Sequence, residues 1–244
     1  MQSSSKKVAL VTGANKGIGF EIARQIGRAG VTVLVGARNK AAGESAAAAL
    51  AGEGIDARFI AINVADYASI EEAAASITSG FGHLEILVNN AGINDPGDGP
   101  APTAGLEAVE RVLRTNFLGA LAVTQAMLPL LHKSPAARIV NVSSGLGSLT
   151  QNGDPAYPAA ATKLIGYSAS KAALHMLTVQ LAFLLRDSRI KVNAADPGYT
   201  ATDLNGHRGT QTIPEGAAEA IRLALLPDDA PAGTYSNSKG IIPW

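Results

Sequence analysis

Short apolar runs alternate with longer segments whose apolar positions recur at helical spacing along most of the chain. Strand-length runs are predicted at 8–12, 31–36, 57–63, 84–88, 138–143 and 190–195. Helical spacing predicts helices at 20–29, 40–51, 67–79, 106–131, 167–185 and 214–225. Strands interleaved with helices of this length form parallel βαβ units. We therefore predict an α/β fold, a Rossmann-like doubly wound parallel sheet with helices on both faces.

Composition fits one compact domain over residues 1–244 and argues against several functions. The chain is 47% hydrophobic, and its 20 basic residues balance 20 acidic ones. No basic stripe indicates nucleic acid, and no like-charge run or bilayer-length apolar run indicates a membrane. The polar N-terminus resembles neither a signal nor a transit peptide, so we expect a cytoplasmic protein. No metal site is expected, because there is no cysteine and the four histidines lack metal-binding spacing.

A glycine-rich turn follows the first predicted strand and opens the first predicted helix. Strand, glycine turn and helix in this order are typical of a dinucleotide-binding unit. The glycines let the chain turn sharply, the backbone approach a pyrophosphate and the helix pack on the sheet. Their spacing differs from the commoner G-x-G-x-x-G pattern. We assign cofactor contacts here to Gly13, Asn15, Lys16, Gly17, Ile18 and Gly19.

The end of the second predicted strand indicates which nicotinamide dinucleotide binds. An acid for the ribose 2′-hydroxyl of NAD is expected about 20 residues beyond the glycines. Ala37 and Arg38 occupy this neighbourhood instead. A small residue leaves room for a 2′-phosphate, a guanidinium can bind it through paired hydrogen bonds, and Lys16 adds a second positive charge. We therefore predict NADPH or NADP+, the alternative being that Lys16 and Arg38 are ordinary loop cations.

Residues at the ends of later strands are expected to line the same cleft, because ligands of such sheets bind at the carboxyl ends of the strands. The segment 91–106 is a loop over the cleft mouth, and 203–213 is a short polar lid candidate. Apolar and aromatic side chains are expected in the substrate pocket. Further cofactor contacts are assigned to Asn63, Val64, Asn90, Ala91, Gly92, Pro197, Gly198, Thr200 and Thr202, and the pocket to Leu146, Tyr157, Tyr199 and Leu204.

Tyr167 and Lys171 are four residues apart and so lie one helical turn apart on one face. Acid catalysis by tyrosine near pH 7 asks for a pKa shift of about 3 units, or about 4 kcal/mol. One positive charge at about 4 Å, with an effective dielectric of about 20, supplies about 4 kcal/mol. Tyr157 has Ala161 in the equivalent place, so the charge arithmetic selects Tyr167. The alternative is a surface helix that happens to contain both residues.

Two other polar residues fall where chemistry is expected. Ser144 ends the strand at 138–143 and can either bind a substrate carbonyl or cap a turn. Alternation along the strand allows only one of Ser143 and Ser144 to reach the site. Asn116 lies inside the helix predicted at 106–131, where asparagine is a poor interior residue and can simply be exposed. The positions around it are apolar nearly all round, so this helix is expected to be buried against the sheet, a partner subunit or both.

Taken in order, these motifs resemble the classical short-chain dehydrogenase/reductases from residue 8 onward. The glycine turn, Gly36-Ala37-Arg38 and the closing segment 235–244 are similar to NADPH-dependent carbonyl reductases. The resemblance implies a tetrad in which NADPH delivers hydride to a carbonyl carbon, Ser144 binds the oxygen and Tyr167 protonates it. Lys171 would lower the tyrosine pKa and bind the nicotinamide ribose, and Asn116 would hold a water.

The resemblance also implies subunit pairing through the helices that carry Asn116 and Tyr167, hence a possible homodimer or homotetramer. The separation of Ser144 and Tyr167 is longer than in the commonest members, so the loop 149–166 is expected to differ in shape. The predicted activity is NADPH-dependent reduction of a small-molecule ketone or aldehyde. The alternatives are a non-catalytic NADPH-binding redox sensor and an NAD-linked alcohol dehydrogenase.

Overall fold

An eight-stranded sheet forms the centre of the computed structural model, which describes residues 6–244. The strand order is β3-β2-β1-β4-β5-β6-β7-β8; the first seven strands pair in parallel, and β8 is antiparallel to β7. The predicted doubly wound parallel sheet is confirmed, and the first five residues of the polar N-terminus lie outside the described chain. The strands are β1 Val8–Thr12, β2 Thr32–Ala37, β3 Ala57–Ala61, β4 Ile86–Asn89, β5 Ala137–Val142, β6 Ile190–Ala195, β7 Tyr235–Asn237 and β8 Gly240–Ile241.

Helices cover both faces of the sheet, which is why β1, β2, β4 and β5 are buried along their whole length. On β1, Ala9 and Val11 pack with one face, towards α1, α2 and α8, whereas Val8 and Leu10 pack with the other, towards α3 and α5. The helices are α1 Gly17–Arg28, α2 Lys40–Gly52, α3 Tyr67–Gly80, α4 Leu106–Leu113, α5 Gly119–Leu131, α6 Leu149–Gly153, α7 Ile165–Leu184 and α8 Ile213–Ala224.

The continuous helix predicted at 106–131 is interrupted. A π-helical turn, Arg114–Leu118, separates α4 from α5 and contains Asn116. The buried amide of Asn116 accepts from the Ile93 N–H at 2.8 Å and donates to the Ile93 carbonyl at 3.0 Å. Such turns insert a residue into a helix and occur frequently at functional sites. The apolar pattern continues on both sides of the turn, so it gave no sign of the interruption.

Three other boundaries differ from prediction. Helix α1 begins within the glycine turn, at Gly17 rather than at residue 20. The loop 149–166 contains the short helix α6, whose first turn is capped by Ser148 through the Gln151 N–H at 3.1 Å. The closing segment, which lies outside the six predicted strands, holds two short strands, and β8 folds back on β7 and extends the sheet.

A carboxylate from the loop 91–106 fixes the start of α7. Asp98 accepts from the Gly166 N–H at 2.9 Å and, through its other oxygen, from the Tyr167 N–H at 2.8 Å. A helix leaves its first N–H groups without internal partners, and its N-terminus favours negative charge. Leu164, which precedes the helix, has no side chain that can cap it. Asp98 therefore positions the main chain of Tyr167 from a distant part of the sequence.

Buried polar side chains connect α5 and α7 through two central strands. Asn89 on β4 donates to Thr124 on α5 and to Asn141 on β5, each at 2.9 Å. Asn141 in turn donates to Thr178 on α7 at 2.8 Å. Buried polar groups need hydrogen-bond partners, so this chain fixes the two helices in one register relative to the sheet.

His175 on α7 is buried in a cluster with the closing segment of the chain. Its Nε2 lies 2.6 Å from the hydroxyl of Ser143, and its ring lies 4.2 Å from the ring of Tyr235 and 5.2 Å from that of Trp244, measured between centroids. Burial, followed by the charge of Lys171, lowers the pKa of His175 to about 4. The imidazole is therefore neutral at physiological pH.

We predict that His175 makes the fold sensitive to acid. Its folded pKa of about 4 lies below the unfolded value of about 6.5, so the unfolded chain binds more protons between these values and stability falls as the pH falls. The expected loss in unfolding free energy from pH 7 to pH 5 is about 2 kcal/mol, measurable by urea unfolding. His175→Gln should lose about 2 kcal/mol less than wild type over this range; His132→Gln, which alters an exposed histidine just after α5, is the control. Equal acid losses in wild type and His175→Gln would assign the sensitivity to other groups.

Candidate active site

A cleft of about 520 Å³ opens at the carboxyl ends of the parallel strands. Its walls are the glycine turn, the ends of the central strands, α7 and the segment after β6. Most of the predicted cofactor residues line this one cleft: Gly13, Asn15, Lys16, Gly17, Ile18, Gly19, Arg38, Asn63, Val64, Asn90, Ala91, Gly92, Tyr167, Lys171, Pro197 and Thr202.

Two predicted cofactor residues do not line the cleft. Thr200 is buried, and its hydroxyl donates to the Pro197 carbonyl at 2.8 Å. Gly198 has a φ of +65° and packs against the side chain of Gln211. Both residues shape the turn after β6 from behind, so we correct their assignment from cofactor contact to support of the turn.

The glycine turn has the shape of a cradle for a dinucleotide. Gly13 and Gly17 have φ values of +65° and +58°, which L side chains rarely adopt. A Cβ at Gly19 would collide with the Asn90 side chain and the Gly13 carbonyl. Asn90 braces the turn by donating to the Thr12 carbonyl at 2.9 Å. Since α1 begins in this turn, its N-terminus suits a pyrophosphate, and these residues fit a nicotinamide dinucleotide.

Positive side chains flank the cradle. Arg38 follows β2, is exposed and lines the cleft together with Ala37. Asn39 behind it caps α2, accepting from the Ala42 N–H at 2.9 Å, so the backbone at the end of β2 is held in place. Lys16 also lines the cleft and forms an ion pair with Asp203. The donor set therefore suits a phosphate beyond the pyrophosphate.

The four residues of the proposed tetrad come together around Lys171. Its buried ammonium donates to the Val142 carbonyl at 2.8 Å and lies 5.6 Å from the centroid of the Tyr167 ring. A Cβ at Gly92 would lie 3.5 Å from the Asn116 amide oxygen and 3.8 Å from the ammonium, so these groups share one corner of the cleft. The hydroxyl of Ser144 lies close enough to the Tyr167 phenol to lower its pKa.

The choice between the two adjacent serines follows from their partners. Ser143 lines the cleft and Ser144 does not, but the hydroxyl of Ser143 is engaged by the His175 ring at 2.6 Å. Ser144 points to the other side, where it meets Tyr167 and also accepts from the Leu146 N–H at 3.2 Å. Ser144 is thus placed beside a proton donor, and Ser143 belongs to the support behind it.

The predicted electrostatics of Tyr167 were wrong in direction. Burial raises the pKa of Tyr167 to about 12, although the hydrogen bond from Ser144 opposes the shift. Burial also lowers the pKa of Lys171 to about 8. The charge arithmetic counted the attraction of the ammonium and left out the cost of desolvating a phenolate. Tyr167 is therefore protonated at neutral pH, which is the form that a proton donor needs.

Asp196 is a residue near the tetrad that the sequence did not single out. It follows β6, accepts from the Gly198 N–H at 3.0 Å and is hydrogen-bonded to the Gly145 N–H, next to Ser144. Its charge raises the pKa of both Tyr167 and Lys171. In the sequence, only the position of Asp196 just after β6 could have indicated that its charge acts on Tyr167 and Lys171.

Of the four residues predicted for the substrate pocket, Leu204 lines this cleft, whereas Leu146, Tyr157 and Tyr199 do not. The Tyr157 hydroxyl abuts Gly145, next to Ser144, and Tyr199 is exposed. The loop 149–166 packs beside the turn that follows Ser144. Residues that line the cleft without having been predicted are Ile62, Ile93, Asn94, Thr115, Val142, Ser143, Asp203, His207 and Ile213.

Ile62, Ile93 and Val142 lie at or just beyond strand ends. The expectation that ligands bind at the carboxyl ends of the strands, which identified their neighbours, would also have identified them. Asp203 and His207 belong to the segment 203–213 that was predicted as a polar lid candidate, although neither residue was singled out. Within residues 6–244, no helix has the length and apolar character needed to cross a membrane. The same described residues contain no group of three or more metal-ligating side chains suited to a metal ion.

Comparisons with known proteins give a consistent result. A family model described as short chain dehydrogenase matches residues 7–212. Carbonyl reductase (NADPH) 1 of Sus scrofa is 34% identical over 281 aligned positions, covering 99% of this chain and 96% of the relative. (+)-Neomenthol dehydrogenase of Capsicum annuum is 30% identical, covering 98% of each chain.

A solved structure extends the likeness to the fold. NADPH-bound carbonyl reductase from chicken fatty liver superposes with a TM-score of 0.84 at 30% identity, over 98% of this chain and 99% of that one. The resemblance seen in the sequence motifs is confirmed. This chain belongs to the short-chain dehydrogenase/reductase family of oxidoreductases and is similar within it to carbonyl reductases.

Proposed function

We propose that this protein reduces ketone or aldehyde carbonyls to alcohols with NADPH. The observation that carries the proposal is a protonated Tyr167 at the wall of a cleft that fits a dinucleotide, with Ser144 near its phenol and the Lys171 ammonium 5.6 Å from its ring centroid. A nicotinamide cofactor follows from membership of the family; NADPH and the carbonyl substrate are the parts we propose.

The reaction divides between cofactor and protein. When bound, reduced nicotinamide supplies a hydride whose electron pair forms the new bond to the carbonyl carbon. The Ser144 hydroxyl holds the carbonyl oxygen, which gains the electrons of the broken π bond. Tyr167 transfers its phenolic proton to that oxygen and becomes a tyrosinate. The Lys171 ammonium, 5.6 Å from the ring centroid, stabilises the tyrosinate.

Asn116 contributes through position. Its amide nitrogen is fully used, since it donates to the Ile93 carbonyl and, at 3.1 Å, to the Ser170 hydroxyl. Ser170 donates to the main-chain carbonyl of Tyr167 at 2.7 Å. The side chain thus ties the π-helical turn to the catalytic helix. A water of the proton relay, which we propose on the family resemblance, would have to use the free lone pair of the amide oxygen or a main-chain carbonyl.

Three features support NADPH over NADH. Ala37 leaves space at the end of β2, and Arg38 and Lys16 present positive charge to the cleft. The acid that would bind a ribose 2′-hydroxyl is missing from that position. An NAD-linked alcohol dehydrogenase is disfavoured for the same reasons.

Replacing Tyr167 by Phe removes the proton donor and keeps the ring. We expect turnover to fall by about 10²- to 10⁴-fold with little change in NADPH affinity. NADPH consumption would be measured with aryl ketones, aldehydes and diketones, and NADPH binding by calorimetry. Tyr157→Phe, which alters a tyrosine outside the cleft, serves as the control.

Undiminished turnover in Tyr167→Phe would show that another group donates the proton. If the wild type binds NADPH but reduces nothing in the panel, the redox-sensor alternative gains support.

Arg38→Ala should weaken NADPH binding selectively. Charge-assisted hydrogen bonds contribute about 1.5–3 kcal/mol, so we expect the Kd for NADPH to rise about 10- to 100-fold. The Kd for NADH should change less than about twofold, since it lacks the phosphate. Arg186→Ala, at the opposite end of the molecule beyond α7, is the matched control. Equal weakening of NADPH and NADH would refute a specific role for Arg38.

We also propose that two copies of the chain pair through α7. Met176 and Phe183 on this helix are 57% and 65% exposed, a large apolar area to leave in water. Sedimentation should show a dimer or tetramer, and the double variant Met176→Glu/Phe183→Glu should sediment as a smaller species with its fold intact. Tyr67→Glu, on an exposed position of α3, should leave the assembly unchanged. A monomeric wild type would contradict the pairing.

A further inference from the structure

A closed loop, residues 201–210, forms one wall of the cleft. Its ends are held together by the bridge between Thr200 and Gln211. Backbone bonds reinforce this neck: the Ala201 N–H donates to the Gln211 carbonyl at 2.9 Å, and the Thr210 N–H to the Tyr199 carbonyl at 2.8 Å. The neck is therefore rigid, and the tip of the loop depends on other contacts.

The tip reaches across to the glycine turn through Asp203. The carboxylate of Asp203 forms an ion pair with the Lys16 ammonium and a second contact, at 2.8 Å, with Nε2 of His207 on the same loop. The pair joins the two walls where they are already close, since a Cβ on Gly17 would lie 3.9 Å from the Thr202 methyl group. Lys16, more than its other neighbours, lowers the pKa of Asp203, which is therefore ionised at neutral pH.

Asp203 has the wrong charge for its surroundings. Among the described residues that line the cleft it is the only acid, whereas the N-terminus of α1, Lys16 and Arg38 all favour anions. The Asp203 carboxylate is paired with Lys16, which is one of the two cations assigned to the ribose phosphate. The side chains of Lys16 and Asp203 are 66% and 56% exposed, so their pair is weak enough to be exchanged.

We propose that Asp203 is a specificity-determining residue that competes with the ribose 2′-phosphate of the cofactor for Lys16. This inference rests on the proposed use of NADPH. Binding of NADPH exchanges the ion pair within the protein for one with the phosphate and frees the tip of the loop. NADH has no such phosphate and leaves the pair in place. Asp203 thereby limits how tightly NADPH and NADP+ are held, which favours release of the oxidised cofactor.

The test is a set of calorimetric titrations that need no turnover. Asp203→Asn removes the charge and nearly preserves the shape. It should tighten NADPH and 2′,5′-ADP, which carries the ribose phosphate without nicotinamide, by about three- to tenfold at low salt. NADH and 5′-AMP should change less than about twofold. Asp187→Asn, an exposed acid beyond the far end of α7, should match wild type. In a Lys16→Met background, Asp203→Asn should have no effect.

Each outcome decides a different point. If wild type prefers NADPH over NADH but Asp203→Asn leaves NADPH affinity unchanged or lowers it, the competition is refuted while the proposed cofactor stands. Equal tightening of NADPH and NADH, or persistence of the effect in Lys16→Met, would show general charge repulsion and also overturn the proposal. A wild type that binds both cofactors equally would overturn the cofactor preference and this inference together.

Discussion

The hydrogen bond from the Lys171 ammonium to the Val142 carbonyl, 2.8 Å long, links the catalytic helix to the end of the central strand β5, and the other groups of the site are arranged around it. A buried ammonium without partners would be costly. The contact therefore determines where α7 can lie, and with it the position of Tyr167 one turn earlier. Asp98 at the start of the helix and Thr178 further along hold the same position. The chemistry depends on helix packing as much as on the reacting side chains.

Burial sets the protonation states of Tyr167 and Lys171 in the direction that suits proton donation by the phenol. Desolvation keeps the Tyr167 phenol neutral and makes the Lys171 ammonium easier to deprotonate, with a pKa of about 8. A neutral phenol beside a mostly charged ammonium is the pair required to protonate an alkoxide, because the tyrosinate that results is stabilised by the cation. The same desolvation that opposes the simple charge argument thus leaves Tyr167 in the protonated form that the proposed reduction requires.

The sequence predicted those features that depend on local order along the chain. Strands buried on both faces appear as continuous apolar runs, and a glycine turn between strand and helix needs no distant contact to be identified. The unpredicted features depend on residues far apart in sequence. The choice of Ser144 over Ser143 depends on His175, which lies on α7 and engages the hydroxyl of Ser143. The π-helical turn at Asn116 depends on Ile93, and the cap on α7 comes from Asp98.

Catalytic and cofactor-selecting side chains differ in how firmly the fold holds them. Lys171 and Asn116 are buried and joined to backbone carbonyls, so altering them disturbs packing as well as chemistry. Lys16, Arg38 and Asp203 are exposed side chains on turns, where each contributes little to stability. Their pairings can therefore change when a cofactor enters, without any cost to the sheet beneath. In the enzyme that we propose, the buried site would carry out the reaction, and the exposed, exchangeable charges at its mouth would determine which dinucleotide is bound and how readily it leaves.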